Sequence, residues 1–183
     1  MSTYDRTPSQ ERLSVILSEL RDIADAVDPA ELQALTEALI AAKRVFFSGQ
    51  GRSGLMVRAI AIRLMHIGLT VYVAGETSAP SIGQGDLLVA VSASAKTQAT
   101  LTHMDVARRT GAKVALVSAV AVNPGLSDIL VTIPARTAVA TLQHAGSLFE
   151  QSLLLIGDAI AWQVQRSLRV EDRELDERHA NLQ

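Results

Sequence analysis

The sequence contains no cysteine, so disulfide bridges, thiolate metal sites and cysteine nucleophiles are excluded at the outset. Aromatic residues make up only 3%, which leaves almost nothing on which nucleic-acid bases could stack. Positive charge is not in surplus either: 17 Lys and Arg face 19 Asp and Glu, a formal net charge of -2. A nucleic-acid backbone finds no electrostatic footprint here, and no such partner is expected. No apolar run approaches the ~20 residues that span a bilayer, so no membrane partner is expected. The start, MSTYDRTPSQER, is polar and charged and does not read as a secretory signal. The expected location is the cytoplasm. What the chain does have is apolar material, 48% of 183 residues. That is enough to bury the core of a single domain over residues 1–183.

Apolar side chains at Leu13, Ile16, Leu17, Leu20, Ile23, Ala24 and Val27 recur at helical spacing. Asp28-Pro29 then reads as a cap followed by a proline at the first helical position, opening a second helix with Leu32, Leu35 and Leu39 on one face. These two helices form an N-terminal helical segment over 8–42. After them, short apolar runs alternate with helical stretches. Strands are expected at 44–48, 70–73, 86–92, 113–118 and 129–133, and helices at about 53–67 and 97–110. A short helix is expected to start at Asn123-Pro124. A long helix follows over 147–168, apolar nearly all round in its first half, and then a charged tail over 169–183. Non-alternating strands separated by helices indicate a parallel sheet covered on both faces. The expected fold is an α/β protein: a three-layer α/β/α sandwich with a five-stranded parallel, flavodoxin-like sheet in strand order 2-1-3-4-5.

In such a sheet the loops after the strands gather at one edge, where ligands bind. Two loops there carry chemistry. The first runs Ser48-Gly49-Gln50-Gly51-Arg52-Ser53-Gly54 into a helix. Glycines permit a tight turn, and the helix start, Arg52 and the Ser53 hydroxyl all suit an anion. The same glycines, with Glu76 after the second strand, leave a dinucleotide site as a weaker alternative. The second loop, Ser92-Ala93-Ser94-Ala95-Lys96-Thr97, crowds three hydroxyls and an ammonium at a helix start. Plain capping by Ser94 would need one hydroxyl only. Two anion-friendly loops on one edge point to a phosphorylated small molecule.

The segments GRSGL at 51–55, RLMHIGLTVYVAGET at 63–77, GDLLVAVS at 85–92, SLFEQSLLL at 147–155 and RHANL at 178–182 carry a resemblance across nearly the whole chain. The pattern resembles the sugar isomerase (SIS) domain family, and within it the 6-phospho-3-hexuloisomerase branch. The resemblance implies conversion of D-arabino-hex-3-ulose 6-phosphate to fructose 6-phosphate, the second step of ribulose monophosphate formaldehyde fixation. It also implies a homotetramer working without metal or other cofactor. The second loop departs from the family pattern S-G-S-G-E-T. Ala93 and Ala95 replace glycines, and Lys96 replaces the glutamate, so this position cannot supply a base. Alanine disfavours positive φ, so the loop geometry is expected to change.

Moving a carbonyl from C3 to C2 needs a base to carry a proton between the carbons and a donor to steady the enediolate. Glu150 is the expected base, since its helix is otherwise apolar and would partly desolvate it. The alternative is a helix-start acid in water. His179, in the RHANL tail, is the second catalytic candidate, opening the sugar ring or relaying protons. The alternative there is a frayed terminus. Ser48, Gly51, Arg52, Ser53, Ser92, Ser94, Lys96 and Thr97 are expected to hold the phosphate and sugar, with Glu76 against sugar hydroxyls. His66 is expected to be a packed, hydrogen-bonded core residue. His103 and His144 have no neighbours that suggest a metal site. A sugar-phosphate sensor without turnover, or an isomerase of another phosphosugar, remains an alternative at this point.

Overall fold

The structure is a computed structural model and describes residues 7–181. Two helices come first, α1 (Pro8–Ala26) and α2 (Pro29–Ala41). The start of α1 is fixed by a capping box: Thr7 Oγ1 accepts the Gln10 N–H at 3.3 Å while Gln10 Oε1 accepts the Thr7 N–H at 2.8 Å. At α2 the Asp28 carboxylate accepts the Ala30 N–H at 2.8 Å, with Pro29 at the first helical position as its spacing predicts. There follow β1 (Val45–Ser48), α3 (Gly51–Ile67), β2 (Val71–Val73), β3 (Leu87–Val91), α4 (Gln98–Arg109), β4 (Lys113–Ser118) and β5 (Ile129–Thr132). The chain closes with α5 (Ser147–Leu168) and the short α6 (Asp172–Glu177). Among the described residues no helix is long and apolar enough to cross a membrane.

The five strands form one parallel sheet in the order β2-β1-β3-β4-β5, as expected. The runs of Val, Leu and Phe in β1, β3 and β4 are buried on both faces, whereas the edge strand β2 is half-buried. Phe47, Val89, Val91, Val117 and Val131 pack under α2, α3 and α5, whereas Phe46, Leu88, Ala90, Val114 and Leu116 pack against Met104 and Ala107 of α4. The two faces are unequally clothed. Among the described residues α4 is the only helix on its side, because the β2–β3 and β4–β5 connections are irregular. The helix expected at Asn123-Pro124 is absent and the segment is a turn. Gly125 there takes φ 88°, and Arg108 reaches over from α4 to the carbonyls of Gly125 and Leu126 at 2.7 and 3.2 Å. These contacts satisfy carbonyls that a helix would have paired.

The crossover from β5 to α5 is long and irregular, and it is held from the N-terminal side of the chain. Glu19 of α1 is buried, and its carboxylate accepts from Thr141 Oγ1 at 2.7 Å, the Leu142 N–H at 2.6 Å and Gln143 Nε2 at 2.8 Å. Arg12 donates to the Leu142 carbonyl at 2.6 Å. Burial alone would favour the neutral acid. The three hydrogen bonds and Arg12 outweigh it, and the Glu19 carboxyl lies below its ordinary range.

A lowered carboxyl pKa stabilises the fold above the unfolded value of 4.5 and loses that contribution as pH falls through the folded value. Glu19→Gln offers a donor where only acceptors fit. It is expected to lower stability by about 2 kcal/mol at neutral pH, the deficit shrinking as the medium is acidified below about pH 4.5. Urea titrations of both proteins at pH 7 and pH 3.5 measure it, and a pH-independent deficit contradicts the clamp.

Candidate active site at the crossover edge

The strand order reverses between β1 and β3, which pair in parallel with Ser48 opposite Ala90. The loops after these two strands therefore leave the sheet side by side, at the place where open α/β sheets bind ligands. In the first loop Gly51 takes φ 57°. A side chain on Gly54 would sit 2.7 Å from the Gly49 carbonyl oxygen, so the loop closes on itself through glycine. Gly51 and Arg52 are exposed, Ser53 is half-buried and Ser48 is buried.

The second loop is knit by its own hydroxyls. Ser92 Oγ lies 2.9 Å from Thr97 Oγ1 and accepts the Thr97 N–H at 3.4 Å. Ser94 Oγ accepts the Lys96 N–H at 3.3 Å. Ser94 does not cap α4; Thr97 holds that position and makes no side-chain capping bond, so the simple capping alternative fails. The loop is tied to β4 through Ser118 Oγ, which donates to the Ala93 carbonyl at 3.3 Å. Ala95 takes φ 53°, whereas Ala93 is not among the residues of positive φ. The expected obstruction by alanine is thus resolved at one position by strain, of about 1–2 kcal/mol for a non-glycine residue in the left-handed region.

Glu150 stands in the first turn of α5 beside this edge, its side chain only 13% exposed. Its carboxylate folds back over Gly146 at the helix start and forms an ion pair with Arg52 of the first loop. The Arg52–Glu150 pair thus joins the first loop, which holds Gly51 and Ser53, to α5, while Ser92, Ser94, Lys96 and Thr97 lie in the neighbouring loop after β3. Glu76, after β2 on the same edge, is exposed and paired with Arg58.

Two expected site residues are placed differently. Ser48 is only 1% exposed, and its Oγ lies 2.8 Å from Nδ1 of His103, a residue that the sequence suggested only as a metal ligand to be set aside. The signal was present in the spacing: Thr100, Met104 and Ala107 are the buried stripe of α4, and position 103 borders that stripe. His179 lies at the other end of α3. Its ring stacks on His66 with centroids 4.9 Å apart, and Arg178 donates to the His66 carbonyl at 3.1 Å. Seventeen residues of helix separate that end from Gly51, roughly 25 Å. Within one chain, then, His179 and Glu150 do not meet. His66 is packed as expected, but among the described residues its Nε2 has no hydrogen-bond partner. Burial, with His179 and Arg63 nearby, pushes its pKa below the ordinary 6.5 and favours the neutral ring. Leu182, the last residue of the RHANL segment, lies outside the described residues.

The model of the SIS domain matches residues 38–156, and the chain belongs to the SIS domain family. Within that family it is 40% identical over 178 residues to 3-hexulose-6-phosphate isomerase of Mycobacterium gastri, covering 93% of this chain and 89% of that protein. The enzyme of the same name from Bacillus subtilis is 32% identical over 184 residues, covering 94% and 98%. Among solved structures, a Methanococcus jannaschii protein whose inferred function is 3-hexulose-6-phosphate isomerase superposes with a TM-score of 0.84 at 27% identity, covering 94% and 99%.

Relief of the strain at position 95 separates the two loop alanines. Ala95→Gly is expected to raise stability by about 1 kcal/mol, and Ala93→Gly to lower it slightly through unfolded-state entropy. Thermal unfolding of the two variants measures the difference. Equal shifts would show that the left-handed turn at Ala95 is not strained.

Proposed function

We propose that this chain is a 3-hexulose-6-phosphate isomerase, interconverting D-arabino-hex-3-ulose 6-phosphate and fructose 6-phosphate through an enediol. Its place would be the second step of ribulose monophosphate formaldehyde fixation in the cytoplasm. The choice of substrate rests on the near-complete alignment with the Mycobacterium gastri enzyme. The chemistry is supported by the Arg52–Glu150 ion pair, standing at the end of the sheet where the hydroxyl-rich loop after β3 also emerges beside the loop after β1.

In this reading Ser92, Ser94 and Thr97, the first N–H groups of α4 and the Lys96 ammonium hold the phosphate dianion. Gly51 and Ser53 complete the cradle from the first loop. Arg52, 64% exposed at its side chain, is free to swing from Glu150 toward the incoming anion, which releases the carboxylate. Glu150 then takes the proton from C2 as the C3 carbonyl becomes an enediolate, and returns it to C3. The O2 hydroxyl proton leaves and O3 gains one, so atoms balance without a redox partner. The 3-ketose has its O6 esterified and would close on O5 only as a four-membered ring. The forward reaction therefore starts from the open chain, and proton relay between O2 and O3 is the role left for His179. Glu76, released from Arg58, would meet sugar hydroxyls.

His179 can serve this site only from a neighbouring copy, which fits a homotetramer. Supporting it, Leu13 and Leu17 of α1 and Leu155 and Trp162 of α5 are large apolar side chains left exposed, more than a lone surface needs. The pair of substitutions Leu17→Glu and Leu155→Glu is expected to yield smaller species in sedimentation and at least tenfold lower kcat. Full activity in a dissociated form would rule out a site shared between copies.

For the base, Glu150→Gln is expected to lower kcat by at least about a hundredfold, while Arg52→Ala chiefly raises KM. Substrate made in situ from formaldehyde and ribulose 5-phosphate, with fructose 6-phosphate read enzymatically, provides the assay. Near-normal turnover by the Gln variant removes Glu150 from the role. Binding of fructose 6-phosphate by the unaltered protein without any turnover would mark a sensor rather than an enzyme.

A further inference from the structure

Beside the crossover edge lies a cleft of about 260 Å³ between α4 and the segment after β2, lined in part by Phe46, Glu76, Pro80, Ser81, Leu88 and His103. None of the reacting or phosphate-holding groups named above explains the half-buried histidine on its wall. Its Nδ1 is 2.8 Å from Ser48 Oγ, the sole hydrogen bond of that hydroxyl among the described residues. Ser48 sits at the end of a central strand and is only 1% exposed. If His103 donated this bond, the Ser48 O–H would be left buried without an acceptor, which carries the full desolvation penalty. The satisfied arrangement is the reverse: Ser48 donates, Nδ1 accepts, and the proton of the neutral ring resides on Nε2. Nε2 has no partner among the described residues, and the ring that carries it borders the cleft.

We propose that His103, held by Ser48 as its Nε2–H tautomer, is a further catalytic residue that donates a hydrogen bond to an oxygen of the sugar chain. This deepens the reading above and rests on it. The phosphate is accounted for by the second loop, one and a half turns of helix before His103. On this proposal the group that meets Nε2 is the open-chain sugar, whose carbonyl oxygen gains negative charge on the way to the enediolate. A neutral imidazole donor strengthens its bond as that charge develops and need not give up its proton. Ser48 acts through His103 as a positioning residue. With its hydroxyl bonded to the ring, it is assigned that part in place of the direct ligand contact first expected of it.

Two measurements test this. In ¹⁵N-resolved spectra of the unaltered protein, the His103 ring should show a bare Nδ1 and a protonated Nε2, and saturating fructose 6-phosphate should shift the Nε2 signal. Ser48→Ala should mix the tautomers. In the coupled assay, His103→Ala is expected to lower kcat and kcat/KM together by about a hundredfold. His103→Gln, whose amide N–H reaches the Nε2 position, should recover at least tenfold of that loss. Ser48→Ala added to His103→Ala should cost no more than about twofold further, since the serine acts only through the ring. A protonated Nδ1 in the unaltered protein overturns the proposal, as does an Nε2 signal indifferent to the sugar phosphate or near-normal turnover by both His103 variants. If the unaltered protein does not isomerise the hexulose phosphate at all, the functional reading falls instead, and the titration still reports whether His103 meets a sugar phosphate.

Discussion

Everything at the site depends on the parallel pairing of β1 with β3. That ladder is central, buried on both faces and in register from Val45 opposite Leu87 to Ser48 opposite Ala90. It ends the two strands at the same height, so one glycine-rich loop and one hydroxyl-rich loop emerge side by side. A register slip of one residue would turn Ser48 to the opposite face, away from His103, and take Ser92 out of line with the first loop. Arg44 and Asp86 pin the other end of the same pair, with Nε and Nη2 donating to the carboxylate at 2.9 and 2.6 Å. The charged partner favours the ionised carboxylate, and Asp86 lies below its usual range. An ion pair with only one side chain deeply buried is no large source of stability. Its placement in front of both strands nevertheless fixes where they begin.

The fold was legible because its signals are long and redundant. Five apolar runs, helical stripes at Leu13 to Val27 and the proline after Asp28 each point to the same architecture. The departures come from short-range chemistry. Asn123-Pro124 resembles a helix start, yet the span 119–128 is brief and Arg108 takes its carbonyls. Ala95 looks unfit for a left-handed turn, but a turn anchored at both ends can impose φ 53° on it.

The site was legible only as a list of candidate residues. The hydroxyls and Glu150 could be placed because topology puts loop ends and the start of α5 at one edge. Partnerships could not be read, because they join residues far apart in sequence: Arg52 with Glu150, Ser48 with His103, Arg58 with Glu76. Glu19 was missed for the same reason. A lone acid in an amphipathic helix gives no hint that a loop 120 or so residues later will wrap around it. The tail was singled out as chemistry, and only the folded chain shows it seated against the far end of α3.

The Arg52–Glu150 pair also bears on selectivity. If Glu150 is the base, as proposed, its ion pair with Arg52 keeps the carboxylate engaged until an anion competes for the guanidinium. An unphosphorylated ketose carries no dianion to compete for the guanidinium, so on the proposed roles it would leave that pair intact. Discrimination against free sugars would then come from the state of the acid as well as from weaker adhesion: the anchor of the substrate would also be the key that frees the base.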